Sequence, residues 1–158
     1  MCDRLDSSVL QRSAVWRTFG ATGAVRVAQS FSLTRTGTLA EIHIELNCEL
    51  EGSLTAELQR VTSMNGGPGQ LSGMQLRRLR DAGVAPQSGW HMLVVDGGGL
   101  ALAAGETVAV VLGATQGTCS VNDANGAYAA GHIFSQERGT QTWLSRASSA
   151  FVFRTLVR

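Results

Sequence analysis

The residues most able to ligate a metal or move a proton near neutral pH are three histidines, His43, His91 and His132. None stands in an HxH, HExxH or other local spacing that would bring two imidazoles onto one ion. His43 falls on the polar side of an alternating segment, where exposure to solvent is expected. No GxSxG nucleophile elbow occurs. Cys48 is expected to point inward on a regular strand, a poor position for a nucleophile, and Cys119, expected in a loop, has no identifiable base beside it. A lyase or hydrolase reading would need a cleft that holds two or three titratable groups around His91, Asp96, His132 or Glu137. The expectation is a protein without catalytic residues.

Binding chemistry is better represented. Trp90, Tyr128, Phe134 and Trp143 all fall in the second half of the chain near loops. An indole or phenol ring covers the apolar face of a sugar while amides and carboxylates take its hydroxyls. Trp90, Tyr128 and Trp143 are therefore candidate glycan contacts, with His132, Asn122 and Asn125 as polar companions. Core or rim packing is the simpler reading of each ring taken singly. Asp96, Asp123 and Glu137 are weak candidates for holding calcium, since the stretch NDAN at 122–125 lacks the EF-hand spacing. No other cofactor is expected. The glycine runs GGPG (66–69) and GGG (97–99) match neither a P-loop nor GxGxxG, and turn geometry explains both.

The chain has 158 residues, enough for one domain with a continuous core and no metal. Thirteen Lys+Arg against twelve Asp+Glu give a net charge of +1, and the aromatics are not interleaved with basic residues, so nucleic acid is not an expected partner. No apolar run approaches a membrane span, and no signal-peptide run follows Met1. Synthesis and assembly in the cytoplasm are expected, with an extracellular setting as the alternative. Cys2, Cys48 and Cys119 leave a Cys48–Cys119 bridge open, buried thiols being the simpler reading.

These groups must be positioned by strands. In LAEIHIELNCEL (39–50), Ile42, Ile44, Leu46, Cys48 and Leu50 alternate with His43, Glu45, Asn47 and Glu49, which predicts an antiparallel strand with one wet face. SLTAELQRV (53–61) repeats the alternation, and Glu51-Gly52 predicts a tight hairpin between the two. SGMQLRRLRDAG (72–83) reads as the one helix, with Met74, Leu76 and Leu79 on one side and Gly83 as its stop. Further strands are expected at 24–34, 90–95, 106–112, 127–135, 140–144 and near the C-terminus, with residues 113–127 as loop. Residues 1–24 read as an N-terminal arm that docks or caps through Val15, Trp16 and Phe19, and residues 25–158 as the domain proper.

The expected fold is an all-β, antiparallel jelly-roll sandwich of about eight or nine strands with one short helix. In order along the chain, AQSF (28–31), GTL (37–39), GSLTAELQR (52–60), GGPG (66–69), GW (89–90), LALAAGETVAVVL (100–112), AYAAGHIF (127–134), TW (142–143) and AFVFRTLV (150–157) resemble the carbohydrate-binding-module-like jelly-roll domains of bacterial proteins, including choice-of-anchor modules. Cys119-Ser120-Val121 replaces the aromatic segment usual there. The resemblance implies a non-catalytic accessory module that binds glycans or mediates attachment. Together with the missing leader and the apolar-studded arm, it leads to the expectation of a surface component of a virion-like particle: a phage or gene-transfer-agent head spike, fibre or tail. Its partners would be other structural proteins of the particle and cell-surface polysaccharide, without membrane insertion.

Overall fold

The computed structural model describes residues 3–10, 12–62, 67–84, 89–124, 128, 131–146 and 149–158. Among them lie thirteen strands: β1 (Arg4–Val9), β2 (Arg12–Gly20), β3 (Arg26–Ser32), β4 (Gly37–Cys48), β5 (Leu54–Thr62), β6 (Gln70–Val84), β7 (Trp90–Val95), β8 (Leu100–Leu102), β9 (Thr107–Ala114), β10 (Thr118–Ala124), β11 (Ile133–Gln136), β12 (Trp143–Arg146) and β13 (Phe153–Val157). The only helical element among the described residues is a 3-10 turn at Asp96–Gly98. No helix there is long and apolar enough to cross a membrane.

The strands form one curled antiparallel sheet in the order β1-β13-β4-β7-β6-β5-β9-β3-β11-β12. A two-stranded ribbon, β2 with β10, joins it through β10 and β4, and β8 adds to the other end of β4. The all-β expectation is met; the jelly-roll sandwich, the strand count of eight or nine and the short helix are not.

One segment accounts for most of that difference. The stretch expected as a helix is β6, paired to β5 on one side and β7 on the other. Without it the strands fall into two unconnected sets, which is how a two-sheet sandwich would arise; with it the ladder continues around the curl. The helical look of Met74, Leu76 and Leu79 comes from irregularities that break the period of two, seen as register shifts against Leu58, Gln59 and Val61. Gly73 sits among them at φ +77°, and Ser72 Oγ receives the Met74 N–H across it. Among the described residues Met74 is the most exposed large apolar side chain.

Two smaller expectations also fail. Glu51-Gly52 does turn the chain, but β4 and β5 are not ladder partners: β5 pairs with β9 and β6. Residues 118–124, expected as loop, are β10.

The alternation read from the sequence does place the core. Ile42, Ile44 and Leu46 of β4 meet Leu93 and Val95 of β7, Leu58 of β5, Val110 and Leu112 of β9, Phe31 of β3 and Phe153 of β13 inside the curl, all essentially buried. At about 25 cal/mol per Å² of apolar area, each such side chain contributes roughly 1.5–3 kcal/mol. The Phe31 and Phe153 rings lie 6.0 Å apart between centroids. Within residues 1–24, expected as an arm, β1 lies on β13 and β2 on β10. Phe19 is wholly buried in the core, whereas Val15 and Trp16 remain exposed.

Candidate functional site

The outer face of β4 is wet only toward its C-terminal end, where Asn47 and, just beyond the strand, Glu49 are exposed. His43 and Glu45, alternating with the core residues, are buried as well. His43 is held between two neighbours: Arg154 Nε donates to its Nδ1 at 3.0 Å, and its Nε2 lies 2.7 Å from Glu41 Oε2. The Arg154 guanidinium also covers the Trp90 ring at 5.1 Å. The expectation of a solvent-exposed His43 is therefore corrected, because β13 supplies a long cation that lies over this part of the face.

Glu45 is the more consequential residue. Its side chain is 0% exposed, and the Arg12 guanidinium from the start of β2 abuts its Oε1. Arg12 is the ion-pair partner of Oε1, and Oε2 has no hydrogen-bond partner among the described residues. A buried carboxylate can accept about four hydrogen bonds, and leaving such a group without them is costly. Gly89 makes the close packing feasible. Its φ of +89° favours glycine, and a Cβ there would come within 3.3 Å of Glu45 Cγ.

Around Glu45 lies a groove of about 370 Å³, lined by Arg12, Trp16, Leu46, Asn47, Gly89 and His91. The β2–β10 ribbon makes its wall. Register sets Trp16 opposite Asn122 and Asn47 opposite Ser120. Asn122 fixes the ribbon: its amide donates to the carbonyls of Ser13 and Val15, and its Oδ1 accepts from Ser13 N–H. A disulfide between Cys48 and Cys119 ties β10 to β4, which overturns the reading of these cysteines as buried thiols. A neighbouring cavity of about 490 Å³ shares Asn47 and His91 with the groove and adds Glu49, Glu51 and Asp81. There His91 Nδ1 lies 3.0 Å from Asp81 Oδ2.

The residues singled out from sequence are dispersed. Trp90 stands opposite Glu45 in the ladder, with one ring face under Arg154. Tyr128 packs edge-on to Phe153, 5.4 Å between centroids, and burial pushes its phenol pKa up. Trp143 lies beneath the Arg26 guanidinium at 5.2 Å and lines a different groove, of about 380 Å³, with Gln70, Gln141, Thr142 and Ser145. The backbone of His132 joins β3, its N–H donating to Ser30 Oγ. Asn125 lies outside the described residues. Asp123 is paired with Arg17 at 2.7 Å; burial raises its pKa despite the nearby charges of Arg17 and Arg146. Asp96 lies in the turn after β7 and Glu137 follows β11. Among the described residues no three potential metal ligands come together.

Arg12, Glu45 and Asn47 were missed. Locally Glu45 is one more polar residue in an alternating strand; only the position of β2, contributed by residues far upstream, makes it a buried one. No family model, no curated protein and no solved structure matches the chain. Fold and site together define an all-β domain built on a curled antiparallel sheet.

Proposed function

We propose that the chain is a non-catalytic structural or attachment module that holds a partner surface against its N-terminal ribbon. The observation that carries this reading is the exposure of Val15 and Trp16, at 57% and 39%, on β2, which is laddered to β10, with Leu10, 52% exposed, in the connection that leads into it. Apolar side chains held on a rigid edge are what a docking surface needs. The finer form is a surface component of a virion-like particle, with structural proteins of that particle as partners and cell-surface glycan as a second contact. The Cys48–Cys119 bridge supports final residence in an oxidising exterior.

The test is sedimentation after gentle lysis of the native source. The wild-type chain should sediment with a large assembly, and a Leu10→Asp/Val15→Asp variant with unchanged circular dichroism should remain free. A wild-type chain that stays free contradicts the reading.

The His91–Asp81 pair favours one alternative, a hydrolytic enzyme, because a carboxylate of this kind orients an imidazole as a general base. That reading requires turnover of a bound polysaccharide and its loss in His91→Ala. A third setting, a free carbohydrate-binding protein, requires retention on polysaccharide with no particle association.

A further inference from the structure

We infer that the groove over Glu45 is a binding site for a neutral sugar residue, engaged through a vicinal pair of hydroxyls. The inference rests on the attachment reading only for the role of glycan as a second contact; the site and its chemistry come from the groove itself.

Three observations converge. The first is the carboxylate. Glu45 is fully buried and lines the groove; its Oε1 is paired with Arg12 alone, and its Oε2 lacks any hydrogen-bond partner among the described residues. A ligand that brings donors to it relieves a standing deficit, so binding gains more than an exchange of one water contact for another.

The second is the charge arrangement. Arg12 sits directly against Glu45, with its own side chain 60% exposed at the mouth. An anion entering here meets the carboxylate, and a cation meets the guanidinium. A neutral diol meets neither penalty. One hydroxyl donates to Glu45 while its neighbour accepts from Arg12, and both protein groups are charged, so both bonds are of the stronger kind.

The third is the wall. The Trp16 indole is 39% exposed beside the pair and offers a flat apolar surface of the size of a pyranose face. The exposed Asn47 amide stands at the rim to take a further hydroxyl. The cavity of about 370 Å³ lies at the small end of the roughly 300–1,000 Å³ range of ligand sites, suited to one sugar ring of a longer chain.

The groove around Trp143 is the obvious competitor. It has amides and hydroxyls but, among the described residues, no buried group without a partner, and the Arg26 guanidinium already covers its indole. The Glu45 groove is therefore the one assigned.

The experiment is isothermal titration of the full chain with a panel of neutral oligosaccharides (gluco-, manno- and galacto-), with spermidine as the cationic probe and inorganic phosphate as the anionic one. Saturable heat is expected for at least one neutral sugar and for neither ion. Glu45→Gln and Arg12→Gln should each weaken that binding at least tenfold. Should either unfold, Asn47→Ala at the exposed rim serves instead, with a loss of at least threefold. Binding of spermidine or phosphate in preference to every sugar overturns the assignment, as does undiminished sugar binding by the variants. No binding of any sugar by the wild-type chain, while it still sediments with its assembly, overturns this site and leaves the attachment reading standing; a free wild-type chain that binds sugar through Glu45 does the reverse.

Discussion

Cys48 of β4 and Cys119 of β10 face each other directly across an antiparallel ladder and are joined by a disulfide. The bridge spans 71 residues of sequence and anchors the ribbon that carries Arg12 and Trp16 to the strand that carries Glu45. It therefore serves both the stability of the domain and the shape of the groove.

Loop-closure entropy for a separation of that size corresponds to about 4 kcal/mol. Thermal unfolding of a Cys48→Ser/Cys119→Ser variant should show a Tm lower by about 10 °C, as should the wild-type chain under reductant. Equal Tm values with and without reductant would show that the bridge does not constrain the fold.

Two aspartates, Asp6 half-buried and Asp123 buried, give opposite pH dependences. Burial pushes Asp6 upward, but hydrogen bonds from Thr34 and Ser7 outweigh it and leave the carboxyl below its ordinary 3.8. A depressed folded value means that this contribution is complete above the ordinary value and lost as pH falls through the folded one. Asp123 is raised, so its contribution is complete below 3.8 and declines as pH rises through its folded value. Urea unfolding between pH 3 and 7 should show a flatter acid limb in Asp6→Asn. Asp123→Asn should gain on the wild type as pH rises above 4. Curves that run parallel to the wild type in both variants would count against these assignments.

Gln29 is wholly buried, and its amide joins three elements: Oε1 accepts from Phe151 N–H at 2.9 Å, and Nε2 donates to the carbonyls of Ser30 and His132. Gln29→Leu preserves the volume and orphans the Phe151 amide, at a cost of roughly 1–3 kcal/mol. Denaturant midpoints check this, and an unchanged midpoint contradicts it.

How much of this was legible beforehand follows from what each residue's neighbours are. The inward set Ile42, Ile44, Leu46, Leu58, Val110 and Leu112 could be read off because the period of two is local and unbroken there. The path of β6 could not, because its irregularities around Gly73 and Gly83 shift parity in mid-strand and leave apolar residues at helix-like spacing. Glu45 looked solvated because alternation says only that a side chain faces away from the core. What covers that outer face is decided by β2 and β13, at opposite ends of the chain. Aromatic type alone drew attention to Tyr128, whose ring packs against the core.

Gly73 offers a direct check on β6. A Cβ there meets nothing within 4 Å, so only the positive φ opposes substitution. Gly73→Ala should cost about 1–2 kcal/mol by chemical unfolding. A helix at this position would instead be stabilised by the change, and a gain in stability would contradict the strand.

The central claim, that the β2 wall and Glu45 together form the binding surface, is tested most directly by the tryptophan indole resonances. The chain has three tryptophans, and Trp16, Trp90 and Trp143 report on different parts of the sheet. When a neutral oligosaccharide is titrated in, the Trp16 indole N–H should move saturably while that of Trp143 stays in place. Movement of Trp143 with Trp16 unmoved would contradict the account.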